Sequence, residues 1–305
     1  MGFGEIIKAS WITFTANWVK FVSIAGISSL LAIVVASILV FLFLNATSYA
    51  LSAMDTEAMI MWIPWISVAM TMTGVILSLI SSVMMAGVAD GYGRRAMQPL
   101  SRLIMGGLKA IPRTLPLLLI CAAGILLLFA ALGWWLKQLF EASITNNNQA
   151  LGQISMMGVL VIALILLAFV PLSYLLSVKL FLLAPVLHCE SASGLKLFSR
   201  TWGMTKGASG MILLIILVAG IAEGVIAQIA SFATGLFSVN IIDSPGAYYD
   251  LNSALTAMAP VLVITGLIGI AVAAVFTPLL TCASVVIYHD RLRMRNEVSP
   301  SPVVG

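Results

Sequence analysis

Six stretches of this chain stay apolar for about as long as a helix needs to cross a membrane. They run roughly from Phe21 to Leu44, Pro64 to Val88, Leu115 to Trp135, Ser155 to the Leu180 region, Met211 to Leu236 and Ala259 to Tyr288. About 20 such residues span the ~30 Å hydrocarbon core, and backbone in lipid has to close its own hydrogen bonds as a helix or a sealed barrel. The period-2 alternation of barrel strands is absent. The expected fold is therefore all-α, a polytopic membrane protein with six transmembrane helices. Composition agrees: 61% of the 305 residues are hydrophobic and 9% are charged, too little charge to cover a soluble domain. Residues 1–290 read as one six-helix membrane domain and 291–305 as a short basic, then Pro/Ser-containing tail. No cleavable signal peptide is expected, because Glu5, Lys8, Asn17 and Lys20 interrupt the first 20 residues.

What lies between the runs is equally patterned. From Leu180 to Met211 an apolar run ends at Ala184–Leu187, passes His188, Cys189 and Glu190, and becomes a basic amphipathic segment over Gly194–Lys206 before turning apolar again. Leu195, Leu197, Phe198, Trp202 and Met204 share one helical arc, with Lys196, Arg200 and Lys206 on the other side, as in a helix lying in the headgroup plane. A second such segment covers Leu100–Ile111. There Arg102, Lys109 and Arg113 fall within about 40° of one another at helical pitch, opposite Leu103, Ile104, Leu108 and Ile111, and Pro112 is expected to end the segment. A third, over residues 3–18, aligns Phe3, Ile7, Trp11, Phe14 and Trp18 on one stripe.

Charge sets an orientation. Of the 15 Lys and Arg residues, Lys137 is the one outside the termini and the even-numbered connections. The positive-inside rule then puts both termini and the basic segments in the cytoplasm. The outer loops are expected near Asp55, Glu141 and Asp250. Lys8, Arg102 and Lys196 are spaced 94 residues apart, with Phe14, Leu108 and Trp202 at the same offset, which points to three repeats. Each is an interfacial helix followed by two crossings, so the three two-helix units run parallel, unlike the inverted repeats of many transporters.

Catalytic groups are sparse. Glu223 is the one carboxyl deep in a predicted crossing, where a charge facing lipid is costly. Gly220, Gly224 and Ala227 lie near its face, so it fits either a small-residue packing seam or a cargo or proton site; Gln228 shares that ambiguity. The basic residues Arg102, Lys109, Arg113, Lys196, Arg200 and Lys206 suit anionic lipid headgroups, and ordinary topology determination explains the same charges. His188, Cys189 and Glu190 could suggest a metal or nucleophile site, but His289 is the one other histidine and both lie at basic edges, so a satisfied interfacial histidine is the better reading. Cys121, Cys189 and Cys282 have no metal-ligand spacing and read as small hydrophobes. Gly91–Gly93 lacks the strand and lysine of a phosphate loop. No cofactor, no metal and no nucleic-acid partner is implied, and the chain is not expected to be an enzyme.

One resemblance adds to this reading. Lys179, Leu183, Pro185 and Glu190, then Thr201-Trp202-Gly203-Met204-Thr205-Lys206-Gly207, and finally Pro278 and Tyr288-His289-Asp290-Arg291 with Arg293 are similar to the membrane domain associated with bacterial glycerophosphodiester phosphodiesterases. They are similar as well to the related inner-membrane proteins of the YciC-like type. The likeness is specific in the second half and architectural in the first. It implies a bacterial-type plasma-membrane location and six helices. The phosphodiesterase barrel and its acidic and histidine ligands are missing, so the activity is not implied. The expectation is a scaffold or accessory factor that engages lipids or a membrane protein partner at the inner leaflet. The alternative is a transporter or lipid translocator with Glu223 in a central cavity.

Overall fold

The computed structural model describes residues 1–52, 56–96, 98–144, 167, 171–242 and 251–295. All regular structure among them is helical: α1 (Phe3–Ala16), α2 (Trp18–Ser52), α3 (Thr56–Gly93), α4 (Leu100–Ile144), α5 (Leu183–Cys189), α6 (Gly194–Thr205), α7 (Ser209–Ile242) and α8 (Leu251–Met294). Residues 171–180 are helical too. Six segments are long and apolar enough to cross a membrane: Trp18–Leu39, Val68–Gly93, Leu100–Gly124, Pro171–Cys189, Ser209–Ile229 and Leu267–Met294. The chain is thus a multi-pass membrane protein. Of the expected outer loops, Asp55 and Asp250 fall outside the described residues, as do the start of the fourth crossing and the tail beyond residue 295.

The chain forms two compact units, Met1–Ser29 with Met84–Pro99 and Gly207–Gly305, and Leu30–Val83 with Leu100–Lys206. In the first, the end of α8 is the core. Residues 281–289 are buried on every side, the condition for a helix that packs all round. α1 and α7 pack on α8. The buried face of α1 is Ile6, Ser10, Thr13, Phe14 and Asn17. Its hydroxyls are satisfied within the helix, Ser10 donating to the carbonyl of Ile6 at 2.6 Å and Thr13 to that of Ala9 at 2.9 Å. Such back-bonding lets small polar residues enter a core without a partner helix supplying acceptors. Most of the apolar stripe read from the sequence faces outward instead, with Ile7 42%, Trp11 54% and Trp18 56% exposed. α1 therefore has two different faces, a small-residue face packed on protein and an exposed face carrying Ile7 and Trp11. At Asn17 the chain turns into α2, with Phe14 stacked on the fully buried Phe21 at 6.0 Å between ring centres.

In the second unit, the first half of α4 packs against α5 and α6, and α5 against α6. Its buried stripe is Leu103, Gly107, Ala110, Thr114 and Leu118, a helical repeat of small and aliphatic residues. Pro112 does not end the surface segment as expected, since α4 runs unbroken through Pro112 and Pro116. Each proline removes one N–H, whereas ending the helix would orphan four carbonyls and four amides beside a membrane. The other two surface helices do separate from their crossings, α1 at Asn17 and α6 at Lys206–Ala208. The second of these breaks needs glycine. Gly207 has φ +84°, and a Cβ there would stand 2.8 Å from Nη2 of Arg291.

Candidate functional site

The six cations expected at lipid headgroups separate into two groups. Arg102 and Lys109 on α4 and Lys196 on α6 are exposed, and they make no ion pair among the described residues. Lys206 is exposed at the C-cap of α6. Arg113 and Arg200 are half-buried and serve the protein instead. Arg113 Nη1 donates to the carbonyls of Leu187 at 3.3 Å and Glu190 at 3.2 Å, placing a cation on the last carbonyls of α5, where the helix dipole is negative. Arg200 Nε donates to both carboxylate oxygens of Glu190, at 3.2 and 3.0 Å. Equal angular position on a helical wheel could not separate Arg113 from Arg102. What differs is depth along α4: Arg113 is the cation level with the end of α5.

Apolar side chains surround the exposed cations. On α4, Met105 and Leu108 are exposed, and on α6 Leu195 is 67% exposed while Leu197 and Met204 are fully buried. The apolar arc of α6 is therefore divided. Leu197, Thr201, Met204 and Thr205 pack inward; Leu195 and Trp202 face out together with Lys196 and Lys206. Lys179 has its Nζ 5.0 Å above the Trp202 ring, a cation–π contact that fixes the indole at the helix surface. This combination of outward indole, aliphatic side chains and cations is what a helix in the headgroup plane requires.

Glu223 is half-buried and Gln228 exposed on α7. Among the described residues nothing lies within 4 Å of the Cβ positions of Gly220 or Gly224.

The first unit holds a buried polar cluster that the sequence reading missed. His289 Nε2 is 2.8 Å from Asp90 Oδ1, which also accepts from Arg94 Nε at 2.9 Å. Asp90 is 5% and His289 4% exposed. Both belong to helix ends, 199 positions apart, so no local spacing pairs them; the available signal was two ionisable residues where apolar runs meet basic ends. The backbone beyond Asp90 closes with the amide of Ala96 donating to Gly91 at 2.9 Å and that of Arg95 to Tyr92 at 3.1 Å, a Schellman-type turn with Arg95 at φ +55°. Imidazole and carboxylate together can hold or pass a proton. Cys282 lines the same cavity as His289, but a separation of seven helical residues is about 10.5 Å of rise, too long for a thiol–imidazole pair. No cluster of three or more metal-ligating residues occurs among the described residues.

The residues that carry the family resemblance are mostly structural in this arrangement. Pro185, Thr205 and Tyr288 are buried, Glu190 pairs with Arg200, Gly207 makes room for Arg291, and Asp290 lies 3.3 Å from the amino group of Met1. Comparison of the chain with protein-family models, with curated proteins and with solved structures finds no match.

Proposed function

We propose that the protein is a non-enzymatic scaffold or accessory factor of a bacterial-type plasma membrane, engaging anionic lipid and a membrane protein partner through inner-leaflet helices. In this reading both termini are cytoplasmic and the six crossings form three parallel two-helix units. One observation carries it: Arg102, Lys109 and Lys196 stay exposed among exposed aliphatic residues while Arg113 and Arg200 are taken up by internal contacts. Cations needed only for packing would all be engaged in this way. The resemblance to the phosphodiesterase-associated membrane domain supports the same location.

The test is lipid retention by the purified protein reconstituted in discs of mixed phosphatidylglycerol and phosphatidylcholine. Wild type should be enriched in phosphatidylglycerol. Each exposed cation near the surface contributes about 1 kcal/mol, so Arg102→Gln, Lys109→Gln and Lys196→Gln combined should remove most of the enrichment. Equal retention in the triple variant and wild type would sink the proposal.

A translocator or transporter is the second reading, favoured by the exposed Gln228 and open Gly220 and Gly224 beside Glu223 on a crossing helix. It predicts that Glu223→Gln abolishes function in a protein that still inserts, whereas under the scaffold reading that variant keeps full lipid enrichment.

A further inference from the structure

We propose that the cavity beside His289 is a binding site for a single water molecule, and that this water ties the buried His289–Asp90 pair to surface helix α1. The imidazole shows its need for a second partner. Nε2 faces Asp90 Oδ1 at 2.8 Å, and that oxygen also receives Arg94 Nε–H. A carboxylate oxygen is an acceptor, so the network assigns the imidazole proton to Nε2 and leaves a lone pair on Nδ1. Nδ1 is buried and has no hydrogen-bond partner among the described residues. A buried acceptor left in that state bears its full desolvation penalty.

His289 lines a cavity that fits one such partner. The cavity measures about 10 Å³ and is lined by Thr13 of α1, Ala89 and Gly93 of α3, and Cys282, Val285, Val286 and His289 of α8. That volume is about one water probe sphere, the threshold for holding a water and too small for any organic substrate. A water also needs at least two polar partners. Nδ1 is the first. Thr13 supplies the second: its hydroxyl proton is committed to the Ala9 carbonyl at 2.9 Å, so its oxygen keeps lone pairs for an incoming donor. A water donating one proton to Nδ1 and the other to Thr13 Oγ1 satisfies both groups. Ala89, Gly93, Cys282, Val285 and Val286 line the rest of the cavity. The consequence is a continuous polar chain, Thr13, water, His289, Asp90, Arg94, that joins helices distant in sequence and holds α1 with its Trp11 face outward.

Hydrogen–deuterium exchange of the α1 peptide in the full-length protein in detergent reads this directly. Thr13→Val, which keeps the shape and loses the acceptor, should raise exchange in residues 3–16 several-fold, and Thr13→Ser should return it towards wild type. His289→Gln keeps an amide donor for Asp90 and loses Nδ1. With the water as the link, adding Thr13→Val to His289→Gln should raise α1 exchange no further. Wild-type exchange in Thr13→Val, equal exchange in the Ser and Val variants, or additive effects in the double variant would each overturn the water bridge. A structure of the wild type resolving ordered waters should show density within hydrogen-bond distance of Nδ1; an empty cavity there would overturn it as well.

Discussion

Asp90→Ala is expected to lower folding stability by about 3 kcal/mol or more, since hydrogen bonds to a charged group contribute about 1.5–3 kcal/mol each and the carboxylate accepts two. The side chain of Asp90 is 7% exposed and accepts from both His289 and Arg94, so the variant strands an imidazole N–H inside the first unit. Thermal unfolding in detergent should record the fall. The compensating experiment separates charge from packing: Asp90→Leu combined with His289→Leu removes both polar groups, and such replacements are often neutral or stabilising. Recovery of stability in the double variant identifies the stranded partner as the cause of the single variant's loss. A double variant as unstable as Asp90→Ala would show that the pair organises the ends of α3 and α8 in a way apolar contact cannot replace.

Arg113→Ala should have the second-largest effect. Hydrogen bonds from a charged donor contribute about 1.5–3 kcal/mol, and Arg113 directs one nitrogen at two carbonyls that close α5. The loss should be local. Amide exchange should rise across residues 183–205, where Glu190 and Arg200 also pair, and stay unchanged across residues 281–289 of the other unit. Arg113→Lys should recover only part of the protection, because an ammonium is more strongly hydrated than a guanidinium and costs more to place on half-buried carbonyls. Arg102→Ala, at a similar angular position but exposed, should leave both regions as in wild type. Equal effects of Arg102→Ala and Arg113→Ala would refute the division between structural and surface cations.

These two residues show where a sequence reading reaches and where it stops. The six crossings were legible because uninterrupted apolar runs leave a chain few options in lipid. Two short helices, α1 and α6, were legible as well, from an aromatic stripe and clustered cations. What such patterns lack is depth and partner. Arg102 and Arg113 lie within about 40° of each other on a wheel at helical pitch, yet only Arg113 meets α5. On α1 the eye follows Phe3, Ile7, Trp11 and Trp18, while the protein-facing stripe is Ile6, Ser10, Thr13 and Asn17, concealed because its hydroxyls bond to their own helix. Pro112 was misread for a related reason. Its local cost was weighed without the larger cost of opening a helix at the membrane. The Asp90–His289 pair is invisible to any periodic pattern, since the residues that make it meet only when α3 and α8 are in place.

The central claim, that α4 and α6 present their exposed cations on the inner side, is tested most directly by single-cysteine labelling in a background with Cys121, Cys189 and Cys282 replaced. Ser101 and Ser199 are exposed beside the cations of α4 and α6, so Ser101→Cys and Ser199→Cys should resist a membrane-impermeant maleimide added to whole bacterial cells and react once the membrane is opened. Asp55→Cys and Asp250→Cys should react from outside. Labelling of Ser199→Cys in intact cells would contradict the orientation and, with it, inner-leaflet engagement by these helices.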